Sequence, residues 1–204
     1  MKSIIKLNQS YNSFKKFLFF SCLIILSNLN AALAHHPFES LTRDNLSPTQ
    51  GLISGFAHPL LGLDHLLFLL SVGLVANALK KNFIIMFILS GLFGAVIPLI
   101  ISYQLPFSEL IVYTTLFVSA LIINNKLNAS VFIPMALFHG YVLGKPMIGS
   151  QPETMLMYFI GLILAESILL FIGIEFISKF KNLKKFLIIS LYLSGFIFTL
   201  GTLF

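Results

Sequence analysis

His58, Asp64 and His65 stand in the run Gly55-Phe-Ala-His58-Pro59-Leu-Leu-Gly62-Leu-Asp64-His65-Leu-Leu-Phe-Leu-Leu-Ser-Val-Gly73, which otherwise reads as a membrane span. Ionisable side chains are costly in hydrocarbon, so those found there mark an ion path or a site. Two more fall inside later apolar runs, His139 and Glu166. Imidazole and carboxylate without thiolate suit Ni²⁺, Co²⁺ or Zn²⁺ better than Cu⁺. The single cysteine, Cys22, excludes both a thiolate metal cluster and a disulfide within the chain. His35 and His36, just before Pro37, would add two imidazoles and a free amine at the surface if the chain is cut ahead of them.

On a regular helix His58 and His65 differ by only about 20° and lie one above the other. Gly55, Gly62, Gly73 and Ala76 fall near the same line, and Leu60, Leu63, Leu67, Leu70 and Leu74 take the opposite side. The expectation is a small, histidine-bearing face toward the protein and a leucine face toward lipid. Seven residues rise roughly 10 Å, too far to share one ion, which predicts successive stations unless Pro59 bends the helix. Asp64, about 100° round from His65, is expected to meet another neighbour, as a ligand or as the group that fixes a histidine tautomer. His65 stands 15 residues from Lys80, His139 13 from Lys126, and Glu166 13 from Lys179. These offsets put all three roughly 20 Å from one membrane surface, so they are expected to converge, with Asp64 beside them and His58 nearer the outer end.

The elements that must position these groups follow from composition. Of 204 residues, 57% are hydrophobic and 10% charged, against about 25% charged in a soluble domain. The net charge of +6 sits around apolar runs and not in a basic aromatic patch, so nucleic acid is not an expected partner and the lipid bilayer is. Residues 1–34 read as a signal peptide: lysines to Lys16, an apolar core Phe17 to Leu26, and Ala32-Leu33-Ala34 as the cleavage site. An uncleaved anchor is the alternative. Residues 35–51 form a polar extracytoplasmic lead-in. Residues 52–204 form the membrane domain, with apolar segments near 52–79, 82–103, 107–124, 128–145, 154–178 and 184–204. Each approaches the twenty or so residues of a spanning helix. The fold class is therefore all-α, a polytopic six-transmembrane-helix bundle.

With an exported N-terminus, the inner loops hold Lys80, Lys81, Lys126, Lys179, Lys181, Lys184 and Lys185, and the outer segments only Arg43 and Lys145. Seven against two obeys the positive-inside rule and leaves both mature termini outside an inner (plasma) membrane. Glycines punctuate the segments and are expected at close helix contacts. Glu109 and Glu153 follow prolines at helix starts, and Glu175 stands one turn from Lys179, all three read as interfacial. The sequence contains no P-loop, nucleotide fingerprint or H-E-x-x-H, so transport would draw on gradients, membrane potential or a partner.

At His58-Pro59-Leu-Leu-Gly62-Leu-Asp64-His65, followed by Val72-Gly73, the chain resembles the HupE/UreJ family of hydrogenase and urease accessory proteins, small membrane proteins regarded as nickel permeases. The family pattern there is H-P-x-x-G-x-D-H. A second likeness lies at Phe138-His139-Gly140 and Gly144, where many members carry further histidines and this chain has Tyr141, Leu143 and Lys145. The resemblance implies uptake of nickel or cobalt as transported cargo, with no tightly bound cofactor and no catalytic residue. It implies metal handling by His58, Asp64, His65 and His139, to which the depth argument adds Glu166. A homo-oligomer or metallocentre-assembly proteins would be its partners. Two rivals remain open: an intramembrane zinc hydrolase, which would retain its metal, and a non-transporting accessory subunit whose histidines only pack helices.

Overall fold

The structure, a computed structural model, describes residues 46–76, 79, 81–101 and 105–203. The segment expected to be a signal peptide, the expected lead-in as far as residue 45, and His35 and His36 lie outside the described residues.

Helix α1 (Pro48–Leu61) starts at a reciprocal cap. Gln50 N–H donates to Ser47 Oγ at 3.3 Å, and Ser47 N–H donates to Gln50 Oε1 at 2.9 Å. Pro48 in the first turn loses nothing, because first-turn N–H groups have no helical acceptor. Pro59 removes one ladder hydrogen bond near the far end. Gly62 then takes an extended ψ of 104° while its N–H still closes on the His58 carbonyl at 2.9 Å. Helix α2 (Leu63–Ala76) departs at 76° to α1. The remaining helices are α3 (Lys81–Ile100), α4 (Ser108–Ile123), α5 (Phe132–Gly144), α6 (Pro152–Glu175) and α7 (Lys181–Leu203), with short 3-10 turns at Ala129–Val131, Lys145–Met147 and Ile177–Lys179. No strand occurs among the described residues.

Every apolar segment expected from the sequence coincides with a helix or, for the first, with the broken pair. By length and apolarity, Asn82–Ile100, Pro152–Lys179 and Lys181–Thr202 can each cross a membrane, and the bent pair α1–α2 makes up to four. Helices α4 and α5, with 16 and 13 residues, fall short of the twenty or so a crossing needs, so six full-length spans are not what the helix lengths give.

Helix α1 lies along α6, α3 along α5, and α4 along α7, while α2 runs inside, against α4, α6 and α7. That arrangement corrects the expectation for the first segment. Leu67 is buried, and Leu60, Leu63, Leu70 and Leu74 pack against the main core with Phe132, Leu169 and Leu191. A wheel drawn on one straight helix sends those leucines to lipid; the corner at Gly62 turns α2 into the interior instead. The outward apolar faces belong to α3 (Ile85, Met86, Leu89, Phe93), α6 (Leu156, Ile160, Leu164, Ile168, Phe171) and α7 (Leu193, Phe196, Ile197, Leu200). Their three- and four-residue spacing makes continuous apolar stripes, far more than a soluble monomer exposes, while the described histidines and Ser71, Ser119, Ser194, Thr115 and Thr154 are buried. This is a membrane protein's distribution.

Close helix contacts rest on glycine. A Cβ on Gly55 would stand 2.0 Å from the Tyr158 carbonyl oxygen, one on Gly161 2.2 Å from that of Leu52, and one on Gly140 1.9 Å from that of Gly91. Backbone cannot yield there, so Gly55→Ala is expected to part α1 from α6 and cost about 1–3 kcal/mol. Gly201, with nothing within 4 Å of an added Cβ, is the control. Thermal unfolding in detergent should show a lower midpoint for Gly55→Ala and none of that loss for Gly201→Ala.

Candidate metal centre

The corner between α1 and α2 builds the site. His58 occupies the last turn of α1, and Asp64 and His65 the first turn of α2. The bend brings the His58 and His65 rings to 5.6 Å between centroids, inclined at 69°. The separation of roughly 10 Å expected on a straight helix is therefore overturned, because the chain turns between the two residues. Gly62 must be small for this: a Cβ there would lie 2.9 Å from His65 Cδ2, 3.2 Å from Asp64 Oδ1 and 3.2 Å from the His58 carbonyl oxygen.

His65 continues the row to α5. Its Nδ1 lies 3.1 Å from His139 Nδ1, with ring centroids 5.2 Å apart at 75°. Three imidazoles from α1, α2 and α5 thus form one file, each no more than 3% exposed. His139 is clamped further, its ring stacked on Phe68 at 3.7 Å and 5°, and its Nε2 2.7 Å from Thr115 Oγ1. At the other end His58 Nδ1 meets the Tyr158 hydroxyl at 3.1 Å.

Asp64 is 5% exposed and sits where a helix N-terminus favours negative charge. Its Oδ2 lies 3.7 Å from His65 Nε2, so it borders the file instead of pointing to a distant neighbour. Glu166, from α6, lines the same small cavity as His65 and His139, with Phe68 and Gly140 also in its wall. The cavity, about 10 Å³, has room for about one water-sized particle. The convergence of His65, His139 and Glu166 read from depth is present in the fold. Among the described residues no three His, Cys, Asp or Glu side chains are grouped to hold one ion together. The file is a succession of close pairs.

Three participants were not anticipated. Phe68 gave no sign beyond its apolar run. Thr115 shares a helix face with buried Ser108 and Ser119, seven back and four on, a hydroxyl stripe visible in the sequence. Tyr158 shares the buried stripe of Leu162, Ala165 and Glu166 on α6, at four, seven and eight residues. Of the residues read as interfacial, Glu175 pairs with Lys179 at 2.6 Å, and Glu109 lies 4.0 Å from Lys145, whose Nζ also donates to Ser108 Oγ at 3.3 Å. Residues from the start of α4 and the ends of α5 and α7 share one surface pocket, as helices of alternating direction require.

Comparison with protein families finds one whose sequence model, described as HupE / UreJ protein, matches residues 23–204. No curated protein and no solved structure gives a match. The match spans most of the chain and the whole of the site, so the chain belongs to the HupE / UreJ family.

Proposed function

We propose that this member of the HupE / UreJ family is a secondary permease that imports a divalent transition metal, nickel foremost and cobalt as the second choice, for a nickel enzyme. The family is associated with nickel and cobalt transport for hydrogenase and urease. The observation that carries the reading is the unbroken file His58–His65–His139, with Asp64 and Glu166 beside it. Metal–imidazole bonds of about 2.0–2.1 Å at right or tetrahedral angles put two ligating nitrogens roughly 2.8–3.4 Å apart. The 3.1 Å between His65 Nδ1 and His139 Nδ1 falls in that span, so an ion can take up both nitrogens once the rings turn their lone pairs toward it and the proton between them is released to water. Its two imidazoles compensate an ion for lost water, and Asp64 and Glu166 supply negative charge. Pairs of ligands, and not a closed cage, let the ion leave again, which transport demands. In this reading His58 takes the ion first, and His65 and His139 hold it deeper in the membrane.

The six helical segments then cross an inner membrane with both mature termini outside, the short α4 and α5 being extended by their flanking turns. The lysine-rich loops face the cytoplasm.

Radiolabelled nickel uptake by cells expressing the full chain tests the proposal, with cobalt and zinc as competitors and a His58→Ala/His65→Ala double variant alongside. Saturable uptake reduced to the level of vector-only cells in the double variant is expected; equal uptake by the two proteins would sink the reading.

A further inference from the structure

Two hydroxyls bound the histidine file, Tyr158 at His58 and Thr115 at His139. Tyr158 Oη lies 2.7 Å from the Leu143 carbonyl oxygen, and Thr115 Oγ1 lies 2.6 Å from that of Val112. Two oxygens that close need a proton between them, and a carbonyl has none, so each hydroxyl donates to its carbonyl. A hydroxyl has one proton, so toward its histidine each can only accept. His58 must then carry its proton on Nδ1, donating to Tyr158, and its lone pair is on Nε2. His139 must carry its proton on Nε2, donating to Thr115, which leaves the lone pair on Nδ1. That lone pair in turn requires His65 to be the donor across the 3.1 Å Nδ1–Nδ1 contact.

We infer that Tyr158 and Thr115 are positioning residues that set the tautomers of His58 and His139, and through His139 that of His65, so that His58 Nε2 and His139 Nδ1 are presented for ligation and His65 Nδ1 carries the one proton that an ion entering between the two rings displaces. The inference rests on the proposed metal path and adds to it the two hydroxyls that load it. The burial of these groups suits the task. Tyr158 is fully buried and Thr115 is 5% exposed, and each hydroxyl spends its proton on a carbonyl. The carbonyl that anchors Tyr158 belongs to the last turn of α5, where carbonyls lose their helical partners, and Pro146 beyond it has no N–H to offer. The α5 terminus is thus tied through one phenol to a histidine of α1. Thr115 is anchored by its own helix, three residues back, so α4 alone fixes the donor direction for His139.

The test is nitrogen NMR of the ¹⁵N-histidine-labelled full chain in lipid vesicles without metal at about pH 8, above the ordinary imidazole range. Each ring is assigned by its His→Gln variant. The expected spectrum has His58 protonated at Nδ1 and His139 at Nε2. Tyr158→Phe, which keeps the ring and removes the hydroxyl, should move His58 to the other tautomer and leave His139 unchanged. Thr115→Val should move His139 and His65 together, and Thr115→Ser should restore the wild-type signals. Removing such a hydrogen-bonding partner should weaken nickel binding, titrated with Ni²⁺ alone, about 10- to 100-fold. A His58 signal unaffected by Tyr158→Phe, or a His139 signal unaffected by Thr115→Val, overturns the inference. Shifted tautomers with unchanged nickel affinity would leave the tautomer assignment standing and sink the metal path.

Discussion

His65→Ala should abolish metal uptake while the protein still accumulates in the membrane. His65 is the one ring that meets both of the others, 5.6 Å from His58 and 5.2 Å from His139, and its Nε2 is 3.7 Å from Asp64. Alanine there opens a gap between the outer and deeper stations. It also leaves His139 Nδ1 without its 3.1 Å partner. Loss of a partner that merely orients a ligand costs 10–100-fold in metal affinity, so loss of the bridging ligand should cost more than about 100-fold. His58→Ala and His139→Ala each leave one close pair intact and should retain part of the uptake. The rival, a non-transporting subunit whose histidines only pack helices, predicts something else: no uptake above vector-only cells even for the unaltered protein, and lowered thermal stability in all three variants. Uptake and detergent melting measured on the same set separate the cases, and a His65→Ala protein that takes up nickel normally would end the assignment.

Gly62→Ala should inactivate the protein without destabilising it. The added methyl meets His65 Cδ2 at 2.9 Å and Asp64 Oδ1 at 3.2 Å, so the two groups bordering the file must shift. The Gly62 backbone, at φ −74° and ψ 104°, is open to alanine, and the packing of α1 on α6 and of α2 in the interior holds the corner, so the conflict falls on the two side chains of the site. Uptake should fall at least tenfold, with a melting temperature unchanged or raised. The opposite pattern, normal uptake with lowered stability, would mean that the corner serves packing alone. Gly55→Ala makes the useful contrast, because its steric conflict is with the backbone of α6 and not with the site.

Much of this molecule was legible in its residues. The six apolar segments coincide with helices because hydrocarbon leaves the backbone few other ways to satisfy its hydrogen bonds. The polar groups worth naming were few, since so little else in those segments is ionisable, and similar distances from flanking lysines, 15, 13 and 13 residues, put His65, His139 and Glu166 near one level. Membership of the family was readable in the eight residues from His58 to His65.

The path's geometry was not readable. A helical wheel assumes one axis, and on one axis His58 and His65 are stacked and distant, with a leucine face left for lipid. Pro59 and Gly62 announce a weak point, but weakness sets no angle. The 76° turn follows from where α1 and α2 find their partners, α1 along α6 and α2 between α4, α6 and α7. That packing buries the leucines, folds two histidines from stacked stations into a touching pair, and brings Thr115 and Tyr158 against them from helices 43 residues apart in sequence. Chain order carries helix periodicity, which is local; which nitrogen faces which oxygen depends on helices that meet only in the folded bundle.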